Sequence, residues 1–167
     1  STESLFDLID ESPELTNRGD SIIRIQDGSI AFEGVAFSYP SRMDKPVLKE
    51  VSFEVQAGQK IAVVGPSGAG KSTIAALLLR FYDPTQGGIR IGGNLADSYD
   101  LTVLRNSMAL VPQEILLFGG SIKDNISYGK PGATEEEIKL AAKKANALEF
   151  INGFPEGFDT LVGERGI

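Results

Sequence analysis

The sequence predicts an α/β domain with an antiparallel β segment in front, and three observations carry that reading. Period-two alternation starts at residue 29 and returns at 47, in "SIAFEGVAFSYP" and "VLKEVSFEV". A short, nearly all-apolar run, "KIAVVG" at 60–65, leads directly into a glycine-rich loop and a helical pattern, the order of strand, loop and crossover helix. A further helical pattern opens with Thr134 and Glu137, three residues apart, as a capping box.

Taken in order, residues 1–27 begin with the apolar-spaced Leu5, Phe6, Leu8 and Ile9, which Ser12-Pro13 interrupts before a polar connector. The stretch reads equally as a tether from an upstream segment or as an ordinary N-terminal helix. Two half-buried strands follow, and "AGQ" at 57–59 turns the chain into "KIAVVG", expected as a strand buried on both faces. "KSTIAALLLRFYDP" is expected to be helical until Asp83-Pro84 ends it. "GIRIGG" at 88–93 reads as a strand and "MALVP" at 108–112 as a second buried one. In the last helix Ile138, Ala141, Ala142, Ala145, Leu148 and Ile151 share one face.

Composition narrows the function classes. The 167 residues are 41% apolar with mean hydropathy near zero, as in a globular chain with a core of its own. A net charge of −7 argues against a nucleic-acid partner, which needs clustered Lys and Arg. The absence of Cys and His removes disulfides, thiolate metal sites and imidazole chemistry from this sequence. The longest strong apolar run, "IAALLL" at 74–79, is far short of a membrane span.

The chemistry concentrates in "GPSGAGKST", residues 65–73, which fits G-x-x-x-x-G-K-[ST]. Gly65, Gly68 and Gly70 let the backbone wrap close to phosphate oxygens, so that N–H groups from Ser67 to Thr73, Ala69 among them, point inward. The helix that follows offers the positive end of its dipole. Lys71 brings a full charge to the β- and γ-phosphates, and the Ser72 hydroxyl is placed to ligate Mg²⁺. The plain alternative is a glycine-rich turn that merely joins strand to helix. The expected strand before and helix after favour the cradle. A cradle alone does not choose among small-molecule kinases, GTPases, helicases and transport ATPases.

The neighbouring residues do choose. "FEGVAFSYPSR", "PVLKEVSFEVQAGQKIAVVGPSGAGKSTIAALLLRFYDPTQGGIRIGG", "VPQEILLFGGSIKDNISYG" and "GFPEGFDTLVGERGI" resemble, in order, the nucleotide-binding domain of ABC transporters of the exporter type. The likeness runs from about residue 22 to the last residue. It implies a P-loop NTPase core with an antiparallel β subdomain in front and the start of a helical subdomain. It divides the chain into 1–20, a linker from a preceding transmembrane domain, and 21–167, an incomplete ATP-binding domain. It implies ATP and Mg²⁺ as ligands, with Tyr39 stacking on adenine, where spacing alone favours a strand-end Tyr that caps the core. Gln113 follows an expected buried strand, where its amide oxygen reaches Mg²⁺ or the attacking water; as a bland reading it is a polar loop residue. Glu114, Phe118 and Glu164 match positions near the contact with a membrane domain, although a buried core Phe is an equal reading of Phe118. The implied partners are that membrane-spanning domain and a second nucleotide-binding domain, with ATP between the two, on the cytoplasmic face of a cell membrane.

The family places its signature loop just after "GERGI", then an apolar strand closing in two acids, then a switch histidine. None of these is in the sequence, and "LIDE" at 8–11 precedes the cradle and is a decoy. The expectation is therefore a chain that binds nucleotide and hydrolyses it near background, because phosphoryl transfer needs several charged groups acting together. Strand edges left unpaired would favour self-association. The rival is a stand-alone, non-hydrolysing nucleotide-binding module. A small-molecule kinase fits less well, for no Arg cluster follows the loop.

Overall fold

The computed structural model describes residues 23–114 and 116–163. These fall into two compact units, divided between Ala109 and Leu110. The expected linker at 1–20 lies outside the described residues. Among the described residues no helix is long and apolar enough to cross a membrane.

In the first unit the two alternating runs form β1 (Ile30–Phe37) and β2 (Leu48–Val55), and Gln86–Ile91 forms β3. With β4 (Asn94–Leu95) they make a four-stranded antiparallel sheet in the order β2-β1-β3-β4. Alternation along β1 is interrupted at Gly34 (φ 58°), where the register with β2 shifts between Phe32 and Val35. The bulge turns both Phe32 and Val35 into the core. Gly87 crosses at that point, and a Cβ there would lie 2.3 Å from the Gly34 carbonyl oxygen, so only glycine lets the strands meet. "GIRIGG" proves to be more than a strand. Gly92 (φ 55°) and Gly93 (φ 83°) form a two-residue turn of the primed kind that reverses β3 into β4.

One layer of helix covers this sheet. Leu77 from α1 (Lys71–Leu78) and Leu104 from α2 (Leu101–Asn106) join Phe32, Val35, Phe37, Leu48, Ile89 and Ile91 in one core. Tyr99 is fully buried and donates its hydroxyl proton to the Ile91 carbonyl at 2.6 Å. Asp100 caps α2 by accepting from the amides of Thr102 and Val103.

α1 stops five residues before the Asp83-Pro84 expected to end it. Arg80 adopts the left-handed conformation (φ 53°), its amide donates to Leu77 and that of Phe81 to Ala76. That bond pair is a Schellman closure, built on Arg rather than the usual Gly. Tertiary contacts hold it. Arg80 is buried and pairs through Nε with Asp83 at 2.9 Å, while Arg105 donates to the carbonyls of Leu79 and Arg80 at 3.0 and 2.9 Å.

Two expected buried strands are absent. Residues 60–65 and 108–112 belong to no strand, and Val64 and Val111 are 86% and 91% exposed. A strand exists only as one side of a ladder, and among the described residues no strand pairs with either run. β-branched composition without a partner leaves the apolar side chains in solvent.

In the second unit β5 (Gly120–Ser121) pairs with β6 (Leu161–Val162), and the unit's helices are α3 (Ile122–Ser127), α4 (Glu135–Lys144) and α5 (Leu148–Asn152). The Thr134–Glu137 capping box is present at the start of α4, and a second one, Ser121–Asp124, opens α3. The single helix expected over 138–151 is two. Asn146 (φ 56°) terminates α4 with the same Schellman bond pair, its amide to Lys143 and that of Ala147 to Ala142. The expected face is only partly buried. Ile138, Ala142 and Ile151 are buried and Leu148 is half-buried, but Ala141 and Ala145 are exposed.

Candidate functional site

The glycine-rich loop runs over 65–70 into the first turn of α1, and its last glycine is the hinge of that junction. Gly70 is the residue before the helix, with φ 89°, and a Cβ there would lie 2.8 Å from Leu48 Cδ2 and 3.1 Å from Val47 Cγ1. Both the backbone conformation and the approach to β2 therefore require glycine. Gly68 is also left-handed (φ 81°), but it faces open space. Ala69 donates its amide to the Pro66 carbonyl at 3.2 Å, which tightens the loop.

The first intrahelical bond is Ile74 to Gly70 at 3.1 Å, so the amides of Lys71, Ser72 and Thr73 have no carbonyl of their own helix to meet. No acidic residue sits in that first turn. Three amides without an intrahelical acceptor, the dipole and the Lys71 charge thus meet at one helix start, the physical requirement for holding a polyanion. Lys71 Nζ donates to the carbonyls of Gly65 and Pro66, both at 2.7 Å, and so rests along the loop. Ser67 and Ser72 are exposed. The Ser72 hydroxyl is available to a cation that arrives with phosphate, the usual way Mg²⁺ is bound. No group of three His, Cys, Asp or Glu among the described residues could hold a metal by itself.

Thr73 differs from Ser72. It is only 4% exposed, and its hydroxyl shares a 2.9 Å hydrogen bond with that of Tyr39. Tyr39 stands two residues beyond β1, with Pro40 opening a 3-10 turn after it. Its ring meets Phe37 edge-on at 4.9 Å and Tyr82 at 5.3 Å. Tyr39, Gly70, Lys71, Ser72 and Thr73 thus belong to one local assembly in the first unit. Sequence reasoning missed the Tyr39–Thr73 bond and Tyr82, for nothing in a linear pattern places residue 39 beside residue 73.

Gln113, Glu114 and Phe118 are in the second unit, and Gln113 and Glu114 are exposed. Phe118 is 50% exposed rather than a buried core residue, and it stacks on Tyr128 at 4.3 Å. Asn125, also missed, holds it from both sides: it accepts from the Phe118 amide at 2.8 Å and donates to the Phe118 carbonyl at 3.0 Å. Glu164 lies outside the described residues. In this unit the shifted acids belong to helix starts. The Ser121 hydroxyl holds the Asp124 carboxyl below its ordinary value, and the Lys130 ammonium does the same for Glu137.

Residues 48–163 match the family model described as ABC transporter. The chain is 47% identical over 163 residues to the ABC multidrug transporter mdr2 of Aspergillus fumigatus, covering 97% of this chain and 20% of that protein. It is 45% identical over 166 residues to the ATP-dependent lipid A-core flippase of Alkalilimnicola ehrlichii, covering 99% of this chain and 28% of the relative. Among solved structures, a bacterial Atm1-family ABC exporter with ATP bound superposes with a TM-score of 0.86 at 44% identity, over 99% of this chain and 29% of that one. The chain therefore spans between a fifth and a third of the length of these relatives.

Proposed function

The chain belongs to the ABC transporter family, and from that premise we propose that it is the nucleotide-binding part of an exporter-type transport ATPase. The observation that carries the reading is the junction at Gly70. A left-handed glycine is pressed against Leu48 and Val47, and it opens a helix whose first three amides have no acceptor within the helix and whose first side chain is Lys71. In this reading the amides from Ser67 to Thr73, with Lys71, hold the phosphates of ATP. Ser72 supplies an oxygen to Mg²⁺, and Tyr39 takes the adenine face. Bound Mg²⁺ would supply charge neutralisation between the β- and γ-phosphates. Lys71 would leave the Gly65 and Pro66 carbonyls for the phosphates, exchanging two neutral acceptors for charged ones.

Glu114, Phe118 and Glu164 are assigned to contact with a membrane-spanning domain of the same transporter. A second nucleotide-binding domain would complete the site, at the cytoplasmic face of a cell membrane. The relatives, a flippase, a multidrug transporter and an exporter, support the transporter reading as a whole. The sequence carries no pair of acids closing an apolar strand after Lys71 and no His. Binding without appreciable turnover is therefore expected of these 167 residues. A stand-alone nucleotide-binding module would bind equally well, and the coding sequence on either side separates the two.

The test is Mg-ATP binding by calorimetry together with phosphate release, each against Lys71→Ala. Binding that weakens at least tenfold in the variant, with phosphate release equal in both proteins, is the expected result. Equal affinity in both would overturn the cradle, and turnover well above the variant would overturn the non-hydrolysing reading.

A further inference from the structure

The Tyr39–Thr73 hydrogen bond spans the two halves of the proposed nucleotide site, one on the strand side and one on the phosphate-loop helix. Thr73 is the third residue of α1 and almost wholly buried, and its β-branched side chain is stiff at its first torsion. Tyr39 is half-buried, and an aromatic ring of this kind has two torsions to fix. The edge contacts with Phe37 and Tyr82 restrain the ring body. The hydroxyl at 2.9 Å from Thr73 Oγ1 fixes its far end. Without that bond only the edge contacts with Phe37 and Tyr82 restrain the ring.

We infer that Thr73 is a positioning residue for base recognition: it orients Tyr39 through the shared hydrogen bond and thereby couples the base-binding ring to the phosphate cradle. The inference rests on the nucleotide reading above and deepens it. Thr73 sits in the glycine-rich motif as if to face phosphate, yet its hydroxyl is turned to the aromatic side of the site. Discrimination between a nucleoside triphosphate and a bare polyphosphate would then depend on a residue inside the phosphate motif. A loop whose helix start shifts would carry the ring with it.

Tyr39→Phe keeps the ring and deletes the hydroxyl, and Thr73→Val keeps the shape and deletes the partner. The readout is the ratio of Mg-ATP affinity to Mg-tripolyphosphate affinity, measured by calorimetry on the full chain. Each variant should lower that ratio by roughly 2- to 10-fold, the range of one net hydrogen bond. The double variant should lower it no further than either single one, because both remove the same bond. Thr73→Ser, which retains the hydroxyl, should restore the ratio. A purely structural bond would lower the melting temperature and leave the ratio at its wild-type value, which overturns the proposal alone. Additive losses in the double variant would also overturn it. Wild-type chain that binds neither ATP nor tripolyphosphate overturns the nucleotide reading and this inference together.

Discussion

β3 and the run at 60–65 differ less in sequence than in fate. "QGGIRI" carries three glycine or glutamine residues and two isoleucines, yet it lies in the middle of a four-stranded sheet with Ile89 and Ile91 buried. "KIAVVG" is richer in β-branched residues, yet it belongs to no strand, and Ile61, Val63 and Val64 are exposed. What separates them is a partner. β3 pairs with β1 along Ile30–Ile91 and Phe32–Ile89, and among the described residues nothing pairs with 60–65. Strand-forming composition becomes a strand only when a second backbone accepts its donors.

The sharpest way to break the comparison is to delete apolar volume on each side of it. Phe32 is buried and stacked on Phe53 at 4.5 Å, so Phe32→Ala should cost about 3–5 kcal/mol. Val64→Ala, in the run with the stronger strand composition, should stay within about 0.5 kcal/mol. Urea denaturation of both variants measures the gap, and equal losses would mean that 60–65 is packed after all.

A smaller effect tests the closure of α1, which no propensity would have placed at an arginine. The Arg80 side chain is 2% exposed, and its two terminal nitrogens have no hydrogen-bond partner among the described residues, so Asp83 carries its neutralisation. Asp83→Asn should cost about 2–3 kcal/mol, less than for a fully buried pair because Asp83 itself reaches solvent. No loss would show that the buried guanidinium is satisfied elsewhere.

The smallest effect belongs to the second unit. The folded carboxyls of Asp124 and Glu137 sit below their unfolded values, so their contribution is complete above the ordinary carboxylate range and fades as pH falls through the lowered values. Melting temperature should fall as pH drops from about 5 towards 3. Asp124→Asn should lose less over that interval than wild type, and an identical pH profile would remove the capping box from the account of acid stability.

These contrasts also explain what could be read from the chain in advance. The glycine-rich turn into α1 was legible because its residue types are dictated by local geometry, and Gly70 is glycine for reasons that two neighbours enforce. The capping box at Thr134 was legible because its partners are three residues apart. Both helix stops were hidden: left-handed Arg80 is uncommon and is held there by distant Arg105, and Asn146, an ordinary left-handed cap, sits inside an apolar spacing that continues past it. The bulge at Gly34 and the turn at Gly92–Gly93 show as glycines, but their pairing partners do not. Asn125's hold on Phe118 and the bond between Tyr39 and Thr73 are tertiary facts with no linear signature.

Amide hydrogen exchange, resolved by residue with and without saturating Mg-ATP, tests the central claim most directly. In the free chain the amides of 86–91 should be protected and those of 60–65 should exchange freely. Mg-ATP should slow exchange at residues 67–73, and Lys71→Ala should abolish that slowing. Unchanged exchange at 67–73 in saturating Mg-ATP would mean that the glycine-rich loop is a connector and that the nucleotide reading is wrong.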